Sequence, residues 1–205
     1  MTLGVLTHRD YTLMLDKSGS MSSVDQPGGK SRWEMAQEST LGLASKCEQF
    51  DPDGITVYLF SDRFQRYDNV TSTKVAEIFQ ENSPSGGTNL VAALQHAINN
   101  YFQRKAAGQA KPEGETILVV SDGEPDNRMA VVEVIINATQ KIHRDEELAI
   151  SFIQVGSDRG ARRFYKGLDE QLQGIGAKFD ICDTLTLDEM DNMTLTEVLL
   201  KAITD

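Results

Sequence analysis

Three observations in the sequence predict a doubly wound α/β fold, with a mostly parallel central sheet flanked by helices on both faces and one antiparallel edge strand. Strand-like, largely apolar segments, read as continuous runs, stand at residues 11–15, 55–60, 116–121, 149–155 and 178–182. A strand with one wet face would alternate, so these runs read as strands buried on both sides. Amphipathic helical patterns separate them, and strands joined through helices need crossover connections and hence a parallel sheet.

The first strand, 11–15, ends in Asp16 and the hydroxyl-rich stretch Lys17-Ser18-Gly19-Ser20. Ser22 to Gly29 reads as a flexible loop, and Lys30 with Ser31 begins a helix striped by Trp33, Ala36, Leu43, Ala44 and Cys47. After the second strand, 55–60, Phe64 to Tyr67 can return as an antiparallel edge strand in a tight hairpin. Leu90, Ala93, Leu94, Ala97, Ile98, Tyr101 and Phe102 recur at helical spacing and define the clearest amphipathic helix. Residues 106–114 form a surface loop before the central strand 116–121. Val132, Ile135, Ile136 and Ile142 mark a further helix, then come the strands 149–155 and 178–182. Thr194 with Glu197 three residues on is a capping box for a last helix carrying Leu195, Val198, Leu199, Ala202 and Ile203.

The 205 residues, 40% apolar and 25% charged, suffice for one domain with a real core, so a single unit over 1–205 is expected. A net charge of −11 without a long Lys/Arg cluster speaks against a nucleic-acid or anionic-membrane surface. No apolar run approaches the ~20 residues that a bilayer requires. Met1 to Asp10 lacks the basic start and apolar centre of a secretion signal, so a cytoplasmic location is the expectation. Cys47 and Cys182 each sit in an apolar pattern and read as buried free thiols. The acidic surface favours a protein that is monomeric when alone.

In doubly wound sheets ligands bind outside the carboxyl ends of the strands, where the winding reverses. Three polar segments fall there: Asp16 to Ser22, Ser83 to Asn89, and Asp122 to Asn127. Asp16, Ser18 and Ser20 alternate along the chain, so on a turning backbone their side chains can converge. A hard dication such as Mg²⁺ takes oxygen ligands and keeps waters readily. Neutral hydroxyls close to the ion, with Asp16 and Asp122 holding its waters, leave its charge under-neutralised. With Thr88 as a third hydroxyl, such a site invites an Asp or Glu from a partner protein.

These residues carry a resemblance to the von Willebrand factor A domains, a Rossmann-like α/β family. Asp16-Lys17-Ser18-Gly19-Ser20 matches the D-x-S-x-S element of their metal-ion-dependent adhesion site. Gly86-Gly87-Thr88-Asn89-Leu90 is similar to its threonine loop, and Ser121-Asp122-Gly123 to its third element. The elements stand in the family's order, and the layout covers roughly residues 11–203. The resemblance implies binding of Mg²⁺, with Mn²⁺ or Ca²⁺ as alternatives, at Asp16, Ser18, Ser20, Thr88 and Asp122. It also implies recognition of an acidic partner residue, with no catalysis. Ser18 and Ser20 are then direct ligands, Thr88 joins when a partner is bound, and Asp16 and Asp122 act mainly through water.

A rival reading makes the protein an enzyme, because Asp16-Lys17-Ser18-Gly19-Ser20 also resembles the Asp-Lys-Thr-Gly-Thr signature of haloacid dehalogenase-like phosphotransferases and phosphatases. Asp16 would there be a Mg²⁺-assisted nucleophile. Threonine stands at neither signature position, and that reading gives Thr88 no task. Gly28-Gly29-Lys30-Ser31 has the tail of a phosphate-binding loop, but Val24 stands where its first glycine should fall. His8, His96 and His143 have no metal-ligand spacing and read as surface or helix-face residues. Trp33 reads as core, and the runs Asp145-Glu146-Glu147 and Asp188 to Asp191 as solvated faces.

Overall fold

The computed structural model describes residues 4–204. Residues 1–3 and 205, which belong to the expected unit 1–205 and to the Met1 to Asp10 stretch, lie outside the described residues. A one-turn helix α1 (Gly4–Thr7) leads into β1 (Asp10–Asp16), followed by α2 (Arg32–Phe50), β2 (Ile55–Phe60) and β3 (Phe64–Val70). Next come α3 (Ser72–Glu81), α4 (Leu90–Ala106), β4 (Glu115–Ser121), α5 (Arg128–Thr139) and β5 (Leu148–Gln154). The chain closes with α6 (Arg159–Glu170), β6 (Cys182–Thr186), the single turn α7 (Leu187–Met190) and α8 (Leu195–Thr204).

The strand order is β3-β2-β1-β4-β5-β6, parallel throughout except for the antiparallel β2–β3 edge pair. Successive side chains of a strand point to opposite faces, and that parity sorts the core. Leu13, Leu15, Val57, Leu59, Leu118 and Val120 join α2, α3 and α8 on one face. Met14, Tyr58, Phe60, Ile117, Val119, Ile150 and Phe152 join α4, α5 and α6 on the other. Winding reverses between β1 and β4, and this reversal opens a crevice at their carboxyl ends.

Trp33 packs in the core against Phe79 with ring centroids 4.5 Å apart, and Cys47 and Cys182 are buried and unpaired. The three histidines are exposed. Ser31 and Glu34 form a capping box at the start of α2, and Thr194 and Glu197 make the same reciprocal bonds before α8.

Four expectations are corrected. The sixth strand is Cys182–Thr186 rather than 178–182. Its register, Ile150↔Cys182 to Gln154↔Thr186, places Asp183 in the ladder, where Ser151 donates to its carboxylate at 3.1 Å and Lys201 pairs with it. A polar strand at a sheet edge is stabilised by such long-range partners, which an apolar run does not signal. Helix α5 ends at Thr139, and Ile142 is buried beyond it. The buried stripe of α5 is Val131, Val134, Ile135 and Ala138, with Val132 and Ile136 flanking it. Glu147 is buried rather than solvated, accepting from Tyr101 at 3.2 Å and the His143 amide at 3.1 Å and pairing with Lys105.

At the opposite end of the sheet from the crevice, Arg9 is fully buried and ties the amino end of β4 to the chain around it. Its guanidinium donates to Thr116 Oγ1 at 2.5 Å, to the carbonyls of Glu146 at 2.5 Å and Glu115 at 2.7 Å, and to the Glu113 carbonyl. Burial pulls its pKa down to about 10. Arg9→Ala strands several buried acceptors and opens a cavity, so chemical denaturation is expected to show a loss of about 3 kcal/mol or more.

Candidate metal centre

Asp16 is the last residue of β1, and Asp122 follows the last residue of the adjacent strand β4. Both strands are pinned by the sheet, so both carboxylates are carried to the crevice on rigid elements. Asp16 is 1% exposed and Asp122 0%, while Ser18 is 2% exposed and Ser20 lies open to solvent.

A chain of hydrogen bonds joins four of the five predicted residues. The Ser18 amide donates to Asp16 Oδ1 at 2.7 Å. The hydroxyls of Ser18 and Ser20 are 3.1 Å apart, and the Ser20 hydroxyl donates to Asp122 Oδ1 at 2.9 Å. The second oxygen of Asp16 accepts from the Ser121 hydroxyl at 2.6 Å. The turn after β1 is held by Lys17 N donating to Phe60 O at 2.8 Å and Gly19 N to Gly86 O at 3.0 Å.

Thr88, 9% exposed, enters this assembly through its backbone. Its amide donates to the Asp126 carboxylate at 3.1 and 3.2 Å, and its carbonyl accepts from Asp126 N at 3.0 Å. Ser85 N donates to Lys17 O at 2.7 Å, so the Thr88 loop is stitched to both strand-end turns. At Gly86 the backbone has φ +83°, and a Cβ there would stand 2.5 Å from Asp62 Oδ2. Glycine is required at that position because Asp62 closes over the loop and accepts from Gly87 N at 2.8 Å.

Burial pushes the Asp16 carboxyl up to about 6, opposed by the bonds from Ser121 and Ser18 and reinforced by the charge of Asp122. Among the described residues no Lys or Arg pairs with Asp16. Asp122, in contrast, has Arg32 NH1 at 2.7 Å from its Oδ2. The site therefore holds a buried carboxylate short of positive charge beside hydroxyls, an all-oxygen set of the kind hard cations take. Among the described residues no three His, Cys, Asp or Glu side chains cluster as metal ligands; here two carboxylates are combined with serine hydroxyls. The donor chemistry fits Mg²⁺ or Mn²⁺. Both Asp16 oxygens are buried, and each accepts a hydrogen bond, one from the Ser18 amide and one from the Ser121 hydroxyl.

The sequence model of the von Willebrand factor type A domain matches residues 11–124. The chain belongs to this family. Its domains are generally non-enzymatic modules of protein–protein interaction and adhesion. No curated protein sequence matches the chain. Among solved structures, the manganese-loaded TRAP protein of Plasmodium vivax is similar with a TM-score of 0.56 at 14% identity, over 90% of this chain and 71% of that one. A D319A mutant of the PilB minor pilin from Streptococcus sanguinis is similar with a TM-score of 0.61 at 14% identity, over 92% of this chain. The chain spans 60% of that pilin's length.

Arg32, Asp25, Ser121, Asp62 and Asp126 complete the site and are absent from the sequence-based set. Arg32 carried a readable signal. A cation at the first position of a helix opposes the helix dipole, so an arginine there calls for a carboxylate partner.

The raised Asp16 pKa means that the metal-free fold holds the neutral acid better than the anion. This group's contribution to stability therefore falls as pH rises from 3.8 through about 6. A shift of that size corresponds to a penalty of about 3 kcal/mol at neutral pH. Asp16→Asn is expected to raise metal-free stability at pH 7 by about 1 to 3 kcal/mol and to flatten its pH dependence between pH 4 and 6. Denaturant melts of both proteins across that range check it.

Proposed function

We propose that this von Willebrand factor A domain is a metal-dependent interaction module in which a divalent cation at Asp16, Ser18, Ser20, Thr88 and Asp122 is completed by an Asp or Glu of a partner protein. The observation that carries the reading is the hydrogen-bonded convergence of Asp16, Ser18, Ser20 and Asp122 around a buried carboxylate, Asp16, that no Lys or Arg among the described residues pairs with. Ser18 and Ser20 serve as direct ligands, Thr88 as the ligand that joins with the partner, and Asp16 and Asp122 act mainly through coordinated water. Mg²⁺ is the physiological candidate, with Mn²⁺ or Ca²⁺ as substitutes. The cation supplies the Lewis-acidic point that a partner carboxylate needs, and the protein supplies its position.

An acidic partner is also favoured by the surface beside the site. Helix α6 starts next to the Asp122 loop, where the Tyr165 hydroxyl donates to Gly123 O at 2.7 Å. Arg159, Arg162, Arg163 and Lys166 lie exposed at i, i+3, i+4 and i+7 along that helix. Arg162 lies 3.8 Å from Glu189 and Lys166 3.2 Å from Glu170, so this face is mixed in charge and adds only modestly to the attraction of an acidic partner on a chain of net charge −11. No helix among the described residues is long and apolar enough to cross a membrane. We place the protein in the cytoplasm, acting as one unit and monomeric when alone, a setting that suits two free buried thiols.

Calorimetric titration of Mg²⁺ and Mn²⁺ into the wild type and a folded Ser18→Ala variant tests the reading. The wild type is expected to bind one ion and the variant to lose at least tenfold in affinity. Equal binding by both would remove Ser18 from the site.

A further inference from the structure

The guanidinium of Arg32 lies between two carboxylates of different character. Its NH1 is 2.7 Å from Oδ2 of Asp122, which is completely buried. Its Nε and NH2 fork onto Asp25, with Nε 3.1 and 3.0 Å from the two carboxylate oxygens and NH2 2.5 Å from Oδ2. The Asp25 side chain is 41% exposed and that of Arg32 18%. Asp25 belongs to the turn between Ser22 and Ser31, and that turn is fastened to α2 by Arg32 N donating to Ser23 O at 3.0 Å. The fold leaves room for the arginine at Gly156, where the backbone has φ +75° and a Cβ would stand 3.1 Å from Arg32 Nε.

The two acids of the site are thus treated unequally. Among the described residues no Lys or Arg pairs with Asp16, whereas Asp122 has both oxygens engaged, one by the Ser20 hydroxyl and one by Arg32. A dication arriving beside Asp122 meets a fixed positive charge on the same carboxylate. Between a unit charge and an ion within about 8 Å, the repulsion at the effective dielectric of a half-buried site amounts to tenfold or more in affinity. Asp25 lessens that repulsion by drawing the guanidinium's charge toward the surface.

We propose that Arg32 is a built-in competitor of the cation for Asp122, that Asp25 sets how strongly it competes, and that an acidic partner group pairing with Arg32 raises the affinity of the site for metal. This rests on the reading of Asp16, Ser18, Ser20, Thr88 and Asp122 as a cation site, and it makes metal and partner mutually reinforcing ligands. Coupling of this kind is reciprocal, so bound metal tightens the partner by the same factor that the partner tightens the metal. In metal alone, without a partner, Arg32 keeps the site weak.

The test is Mn²⁺ binding by calorimetry at low ionic strength, with Mn²⁺-induced thermal shifts in parallel, on wild type, Arg32→Gln and Asp25→Asn. Arg32→Gln is expected to bind Mn²⁺ at least tenfold tighter than wild type and to show a larger shift from a lower metal-free melting point. Asp25→Asn, an exposed substitution that leaves the core intact, is expected to bind severalfold weaker. Binding by Arg32→Gln when wild type shows none supports the competition in its strongest form. Wild-type binding with Arg32→Gln unchanged or weaker overturns the inference and leaves the site reading standing. Unchanged affinity in Asp25→Asn overturns it as well, should Arg32→Gln fail to fold. No binding by any of the three overturns the site reading and the inference with it.

Discussion

Two carboxylates buried side by side, at the ends of strands that neighbour each other across the reversal of winding, are the constraint around which the crevice is built. Burying an anion is costly unless something compensates it. Asp122 is compensated by Arg32 and the Ser20 hydroxyl. Asp16 is held by hydrogen bonds from Ser18 and Ser121, and burial pushes its carboxyl up to about 6. The sheet keeps this unfavourable arrangement in place because neither strand end can move without breaking the parallel ladder between β1 and β4. Local instability held by a rigid scaffold is the usual mark of a site built for a ligand.

The surrounding loops follow from that pair. The turn after β1 has to bring two hydroxyls to the carboxylates, so it is tied to Phe60 O and Gly86 O by backbone bonds. The loop before α4 has to approach both turns, which requires Gly86 in the left-handed region beneath Asp62. Asp126 then fixes the Thr88 amide and carbonyl at once. The Arg9 cluster at the far end of the sheet ties β4 to neighbouring carbonyls away from the crevice.

Much of this was legible in the sequence because it is local. The strand preceding Asp16, the alternating hydroxyls, the helix start at Lys30 and Ser31 and the capping box at Thr194 signal through neighbours a few positions away. The mostly parallel sheet, and the expectation that polar strand ends gather at its switch point, follow from strand–helix alternation; the strand order does not. What escaped is set by long-range pairing. Arg32 and Asp122 stand 90 positions apart, and Arg9 and Thr116 stand 107 apart. Strand β6 is polar, with its Asp183 satisfied by Ser151 and Lys201, and Phe179, Ile181 and Cys182 drew its boundary too early. The basic helix α6 buries only Ala161, Tyr165 and Leu168, too few apolar positions to stand out among its charges.

The most direct test of the account is the position of a bound ion. Anomalous diffraction from crystals grown with Mn²⁺ is expected to show a single strong peak at the carboxyl ends of β1 and β4. At the distance typical of such a hard cation, about 2 Å, it should lie next to the hydroxyl oxygens of Ser18 and Ser20, with Asp16 and Asp122 around it. A well-ordered crystal with no peak there, or with the ion on Asp62 and Asp126 instead, would contradict it.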